Sequence, residues 1–460
     1  MSSLIEDYNK NPAFHQKSGN FNSINEDYAR YFGKNWLPQN VTGIKQNEIK
    51  DLPFMITADG TIVCVPKLPE MGLMVAVGMT GYGKTLISGY MLDNIFYNWN
   101  DNIAVLNDSQ EETWSWSEPN DKPEFSFKLK VLNQEPMPLP MIYIFPNSEI
   151  FKQKEPILKN KNCLVISIPF EEVITNIEKY IPDLGGSEKY LTEKKEQLLK
   201  VKSEEELFEI IESIDNPHTK GMETVKRKLD SCFKNLIAEN ILNISDVAVP
   251  SYLIVKEEKL EVYNGNPFTA IMKADCIPSF ITSDLYTQKH KDAIFSYHLT
   301  NLFQESLNGA MKGKRTWLYF DELTRVVHAD IRYSSPETEK ALNNIASRGR
   351  NNGISLMYAT QRYNEIPKGI RTQTKYAIIF RHKSEEESKM IRNDFGLDKG
   401  LSSEILRLKK YEAIAATTEY FVCYKGEKKW EEPGPLRGTI LPPLHKNRFL
   451  NNLDVKGGVN

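Results

Sequence analysis

Short unbroken apolar runs recur along the chain, separated by polar turns and by stretches with helical spacing. The run at 73–77 (LMVAV) has no polar position, which predicts a strand buried on both faces of a parallel sheet. A glycine-rich turn follows, then a helix over 85–99 (TLISGYMLDNIFYNW) and a second buried strand at 103–106 (IAVL). Strand, turn, helix and strand in that order mark an α/β fold. Residues 61–65 (TIVCV) predict a short strand just ahead of this unit.

The middle of the chain reads differently. A proline-punctuated strand (MIYIF) lies within 136–146, and 163–168 (CLVISI) is another apolar run. From 187 to 240 the spacing is helical. Ser203 with Glu206 has the spacing of a capping box ahead of Leu207, Ile210, Ile211 and Ile214, and a turn at 215–221 separates this helix from a second over 222–240. The α/β pattern returns after Phe268: a helix over 292–307, strands at 317–320 (WLYF), 354–359 (ISLMYA) and 376–380 (YAIIF), and a helix opened by Ser335 and Pro336. Residues 1–58 lack periodicity and read as an irregular arm; the proline-rich tail after Trp430 reads as an extended one. The expected organisation is an N-terminal arm (1–58), a first core segment (59–118), an insertion (119–267) that is mostly helical over 187–240, a second core segment (268–430) and a C-terminal arm (431–460).

Composition narrows the class. With 460 residues, 40% hydrophobic and 26% charged, the chain can bury a large core and is not disordered as a whole. No run is long enough to span a bilayer, and the first twenty residues lack the order of a signal peptide. The five cysteines are far apart with no CxxC, which fits a reducing cytoplasm. The net charge of -3 excludes a protein basic over its whole surface, so any nucleic acid would meet a local basic patch. Candidate patches are 312–315 (KGKR) and the lysines at 152, 154, 159 and 161.

The turn after the first buried strand reads Gly78-Met79-Thr80-Gly81-Tyr82-Gly83-Lys84-Thr85, a full match to GxxxxGK[ST]. Gly78, Gly81 and Gly83 let consecutive N–H groups turn inward on phosphate oxygens, and the helix that follows adds the positive end of its dipole. Lys84 is expected to reach the β- and γ-phosphates, and the Thr85 hydroxyl to ligate Mg²⁺. Gly78, Thr80, Gly81, Tyr82, Gly83, Lys84, Thr85 and Leu86 are the expected ATP contacts.

The strand WLYF ends in two acids, Asp321 and Glu322. Beside a phosphate loop, Asp321 would hold the Mg²⁺ shell and Glu322 would polarise the attacking water. The strand ISLMYA runs into Thr360-Gln361-Arg362, where an amide at a strand end can touch both the γ-phosphate and the water. Upstream, 347–353 (SRGRNNG) carries Arg348 and Arg350 on a short glycine loop, placed to reach across a subunit boundary. Arg371 and Arg381 are weaker rivals.

The succession VAVGMTGYGKT, WLYFDEL, RGRNNG, ISLMYATQR and IPKGIRTQTKYAIIFR resembles the HerA/FtsK superfamily of ring-forming DNA-pumping ATPases, and within it the HerA branch with its conjugation and viral-packaging relatives. The resemblance implies a RecA-like P-loop NTPase core with a mostly parallel sheet and a largely helical insertion. It implies that the strand before Gln361 lies between the phosphate-loop strand and the Asp321 strand. It further implies a hexameric ring that hydrolyses ATP to translocate double-stranded DNA in packaging, conjugation or end processing, with a nuclease, capsid or membrane-channel partner. The stretch ahead of Gly78 does not read as the β-barrel that HerA proteins carry there, so a reduced motor is expected. The alternative is an assembly or secretion ATPase that moves protein, and a third is a regulatory nucleotide binder without turnover.

Overall fold

The computed structural model describes residues 50–446, apart from 69–71, 109–111, 123–124, 126–128, 130–133, 155–160, 177–193, 215–221, 239–251, 257–258, 274–275, 283–287, 309–314 and 331–335. Its strands are β1 (Leu52–Thr57), β2 (Ile62–Val65), β3 (Leu73–Val77), β4 (Asn102–Asp108), β5 (Met141–Phe145), β6 (Asn162–Ile166), β7 (Tyr252–Lys256), β8 (Lys259–Val262), β9 (Ile277–Ile281), β10 (Thr316–Phe320), β11 (Ile354–Thr360), β12 (Thr374–Ile379), β13 (Glu412–Thr417), β14 (Phe421–Lys425), β15 (Lys428–Glu432) and β16 (Leu436–Ile440). The longer helices are α1 (Lys84–Tyr97), α2 (Glu204–Glu212), α3 (Met222–Ala238), α4 (Gln288–Leu307), α5 (Pro336–Arg348) and α6 (Glu385–Asp394).

Among the described residues the strands join into one sheet, in the order β15-β14-β2-β1-β16-β13-β12-β3-β11-β10-β4-β9-β5-β6-β7-β8. From β12 to β6 the pairing is parallel throughout. Both flanks are antiparallel. The central strands β3, β10 and β11 are buried along their whole length, as their unbroken apolar sequences require. Helix α1 is buried on most of its circumference, Ser88, Asp93 and Asn94 included, which is why its sequence has no amphipathic period. The RecA-like order is present: β11 pairs with β3 on one side and with β10 on the other. Among the described residues no helix is long and apolar enough to cross a membrane.

Three expectations give way. The arm foreseen through residue 58 includes β1, a buried strand paired with β2 and β16. The tail foreseen as an extended arm from 431 carries the end of β15 and all of β16, and Leu441 and Leu444 are buried. The insertion foreseen from 119 holds β5, the strand read from MIYIF, and β6, and both extend the parallel core sheet beyond β9 instead of standing apart from it. The helical spacing later in that stretch is realised in α2 and α3. The capping box at α2 is half formed: Glu206 N donates to Ser203 Oγ at 3.2 Å, but the Glu206 carboxylate accepts from Lys202 N at 2.8 Å rather than from Ser203. The turn expected at 215–221 and Ser335 lie outside the described residues.

One buried base makes stability depend on pH. His298, in α4, is 2% exposed, with its ring 4.6 Å from that of Phe280 and 5.9 Å from that of Phe268. Desolvation pushes its pKa down to about 3, only partly offset by the backbone at Ile166. The unfolded chain takes up this proton below about pH 6.5 and the folded chain does not. The contribution is therefore complete above about pH 6.5 and is lost as pH falls toward 3, at up to about 1.4 kcal/mol per pH unit. Urea unfolding followed between pH 7 and 4 should show this slope, and His298→Phe should flatten it.

Candidate active site

The phosphate loop joins β3 to α1, and its three glycines have φ of 145° (Gly78), 82° (Gly81) and 119° (Gly83). At Gly83 the need is twofold. The angle is closed to side chains, and a Cβ would stand 2.6 Å from Ile440 Cδ1 and 3.3 Å from both Phe380 Cε1 and Tyr411 Cδ1. The loop is stitched to the strands beside it: Gly78 N donates to Thr360 O at 3.2 Å and Met79 N to Arg381 O at 2.9 Å. Lys84 is 8% exposed, and its Nζ donates to Gly78 O at 2.8 Å and Met79 O at 3.1 Å, which draws the ammonium back over the loop. Leu86 is buried, so only its backbone N–H, in the first turn of α1, is available to an anion.

Register does the rest. Thr360 pairs with Val77, and Phe320 with Tyr358, so β3, β10 and β11 end together and the residues just past them meet at one edge. Thr85 Oγ1 donates to Asp321 Oδ1 at 3.3 Å, and Tyr319 OH donates to the same oxygen at 3.0 Å. Thr80 Oγ1 donates to Gln361 Oε1 at 2.7 Å. Lys84, Thr85, Asp321, Glu322 and Gln361, distant in sequence, thus surround one loop.

Glu322 is the most constrained member. Its backbone is left-handed (φ 70°, ψ 74°), a conformation that costs a non-glycine residue roughly 1–3 kcal/mol and clusters at functional sites. Its Oε1 accepts from Thr324 Oγ1 at 2.7 Å and Thr360 Oγ1 at 2.9 Å, and Gln361 N donates to Oε1 at 3.0 Å and Oε2 at 3.1 Å. The two threonines were missed by the sequence reading. Their positions, two after the glutamate and one before the glutamine, are the available signal.

Thr85 and Asp321 supply two hard oxygens 3.3 Å apart beside the loop. That donor set suits Mg²⁺, which takes one or two protein oxygens and completes its shell with phosphate and water.

The arginines divide. Arg348 and Arg350 precede β11, whereas Gln361 follows it; a strand of that length separates them from the loop by about 20 Å. They do not join the site of their own chain. Arg371 donates to Asp394 at 2.8 Å and to Ile366 O at 3.1 Å, within a packed corner. Arg381, held to be a weaker rival, is exposed and lies against the phosphate loop, donating to Tyr82 OH at 3.3 Å. Two cations of the candidate basic patches are also committed elsewhere. Lys161 donates to Trp114 O at 2.6 Å and Ser117 Oγ at 2.9 Å, and Arg315 to Ser355 Oγ at 2.7 Å. Burial lowers the pKa of both. Residues 312–314 and Lys159 lie outside the described residues.

No family model and no curated protein matches the chain. Among solved structures it is similar to VirB4 of Thermoanaerobacter pseudethanolicus, at 13% identity over 85% of this chain and 96% of that one, with a TM-score of 0.46. It is similar to the bacterial conjugative coupling protein TrwBdeltaN70 at 11% identity, covering 87% and 94%, with a TM-score of 0.46. It is also similar to the genome packaging NTPase B204 of Sulfolobus turreted icosahedral virus 2 in complex with ATP-gammaS, at 12% identity, covering 80% and 100%, with a TM-score of 0.30.

Proposed function

We propose that this chain hydrolyses ATP and, as a hexameric ring, translocates double-stranded DNA. What carries this is the convergence at one sheet edge of a phosphate loop, a Thr85–Asp321 oxygen pair, a clamped Glu322 and the Gln361 amide. A protein that only binds nucleotide has no use for the second acid.

The loop N–H groups and Lys84 hold the β- and γ-phosphates. Thr85 and Asp321 would hold Mg²⁺, which would supply positive charge against the phosphates. Glu322 takes the proton of the attacking water, and Gln361 orients that water against the γ-phosphate. Arg348 or Arg350 serves the nucleotide of a neighbouring copy, since their own lies at the other end of β11. DNA as the polymer follows from the family resemblance, which is most specific at VAVGMTGYGKT and ATQR. A cytoplasmic ring working with a nuclease, capsid or membrane channel follows on the same ground.

Phosphate release measured with and without duplex DNA, together with the mass of the assembled particle, tests this. A rate raised several-fold by DNA in a particle of six copies is the expected result. Robust hydrolysis indifferent to DNA would instead favour an ATPase that moves protein. One observation keeps that second reading in view: in a chain of net charge -3, Lys161 and Arg315 are tied into the fold rather than offered to a phosphate backbone. An assembly partner that co-purifies without DNA at low salt would support it.

A further inference from the structure

The phosphate loop has two flanks. On one, β11 and β10 bring Gln361, Glu322 and Asp321, so the terminal phosphate faces that way. The rest of a bound nucleotide must leave on the other flank, where β12 and β16 end and β13 begins.

That second flank is built around an aromatic–guanidinium pair. The Arg381 guanidinium lies 5.9 Å from the centre of the Tyr82 ring, and its Nη1 donates to Tyr82 OH at 3.3 Å. Arg381 is exposed and Tyr82, half-buried, packs one part of its ring on the core and leaves the rest open. Behind them stands Tyr411, which like Glu322 is a non-glycine residue in the left-handed region (φ 68°). Its N–H donates to Tyr82 O at 3.1 Å, and its own carbonyl accepts from Ile440 N at 3.1 Å. This left-handed backbone is tied to the Tyr82 carbonyl and so anchors the backbone from which the Tyr82 ring projects.

We propose that Tyr82 and Arg381 form the nucleoside subsite, with the base stacked on this pair and Tyr411 acting as a positioning residue. The inference rests on the nucleotide-binding reading above and adds the chemistry of base choice. Flat π-faces and a planar guanidinium stack on any base in proportion to its area. The subsite should therefore favour purines over pyrimidines and separate adenine only weakly from guanine.

The test is equilibrium binding of ATP, GTP, UTP and inorganic triphosphate, each with Mg²⁺, to the full chain. ATP and GTP are expected within about threefold of each other, with UTP and inorganic triphosphate at least about tenfold weaker. Tyr82→Ala and Arg381→Ala should each weaken ATP about tenfold and leave inorganic triphosphate unchanged. Tyr82→Phe should restore ATP affinity, whereas Arg381→Lys should not, because an ammonium has no plane to stack. Equal losses for ATP and inorganic triphosphate would make Arg381 a phosphate ligand and overturn the subsite, and so would variants that bind ATP like the parent. A parent protein that binds neither ATP nor inorganic triphosphate would sink the nucleotide reading itself, and this subsite with it.

Discussion

Replacing Glu322 by glutamine is expected to stop phosphate release while ATP stays bound. Turnover should fall by about 10²–10⁴-fold, the range of a lost general base. The affinity for ATP should change little, because the loop, Lys84, Thr85 and Asp321 are untouched. The hydrogen bonds also predict a local consequence. Gln361 N now donates to both oxygens of the carboxylate, at 3.0 and 3.1 Å. In the amide one of those acceptors becomes an NH₂ group, and two donors then face each other. Thr324 and Thr360 keep the remaining oxygen, so the side chain stays in place while Gln361 loses part of its anchor. Single-turnover phosphate release, read beside ATP binding on the same sample, separates the two effects. A variant that hydrolyses ATP at even a tenth of the parent rate would remove Glu322 from the chemistry.

The second large effect lies away from the nucleotide, on the far side of α1. Asp93 and His445 are both fully buried, with His445 Nδ1 2.7 Å from Asp93 Oδ1. Leu444 N donates to the other carboxylate oxygen at 2.6 Å, and the His445 ring lies 4.6 Å from that of Trp116. Desolvation raises the Asp93 pKa, and the His445 partner and its hydrogen bond pull it back. Removing the partner from a buried pair of this kind typically costs about 3–5 kcal/mol, and the lost ring leaves a void beside Trp116. His445→Ala should therefore lower the urea midpoint of unfolding by that equivalent. The pH sign follows from the carboxyl. With its partner gone, Asp93 holds its proton more tightly when folded than when unfolded, so its contribution is favourable at low pH and lost as pH rises. The deficit of the variant against the parent should shrink between pH 7 and 4. A loss below about 1 kcal/mol at neutral pH would show that the tail is not held by this pair.

The parts of this fold visible in the sequence are those whose cause is local. The runs LMVAV, WLYF and ISLMYA are strands because both faces of each are buried, and burial of that kind leaves no polar residue behind. The phosphate loop was legible because only glycines reach its backbone angles. What could not be read depends on partners far away in the chain. Strand β16 (LRGTI) has no alternation and carries Gly438, where a Cβ would stand 2.4 Å from Ile56 O. Its strand character comes from β1 and β13 on either side. Lys161 and Arg315 look like any other surface cations until their acceptors, Trp114 O and Ser355 Oγ, are located. The left-handed backbone at Glu322 and Tyr411 has no signature in the residue types that adopt it.

The place of β16 bears on how the chain is made. Met55 pairs with Ile440, and β16 is what joins the β1–β2 hairpin to β13 and through it to the nucleotide-bearing strands. The hairpin emerges from the ribosome well before the strand that forms its seam. At about 5–20 residues per second, the wait between Met55 and Ile440 is roughly 20–80 s. Throughout that interval the nascent protein carries an unpaired strand edge on β1, joined only near its close by a second on β13 (Glu412–Thr417), so a demand on chaperones arises during synthesis.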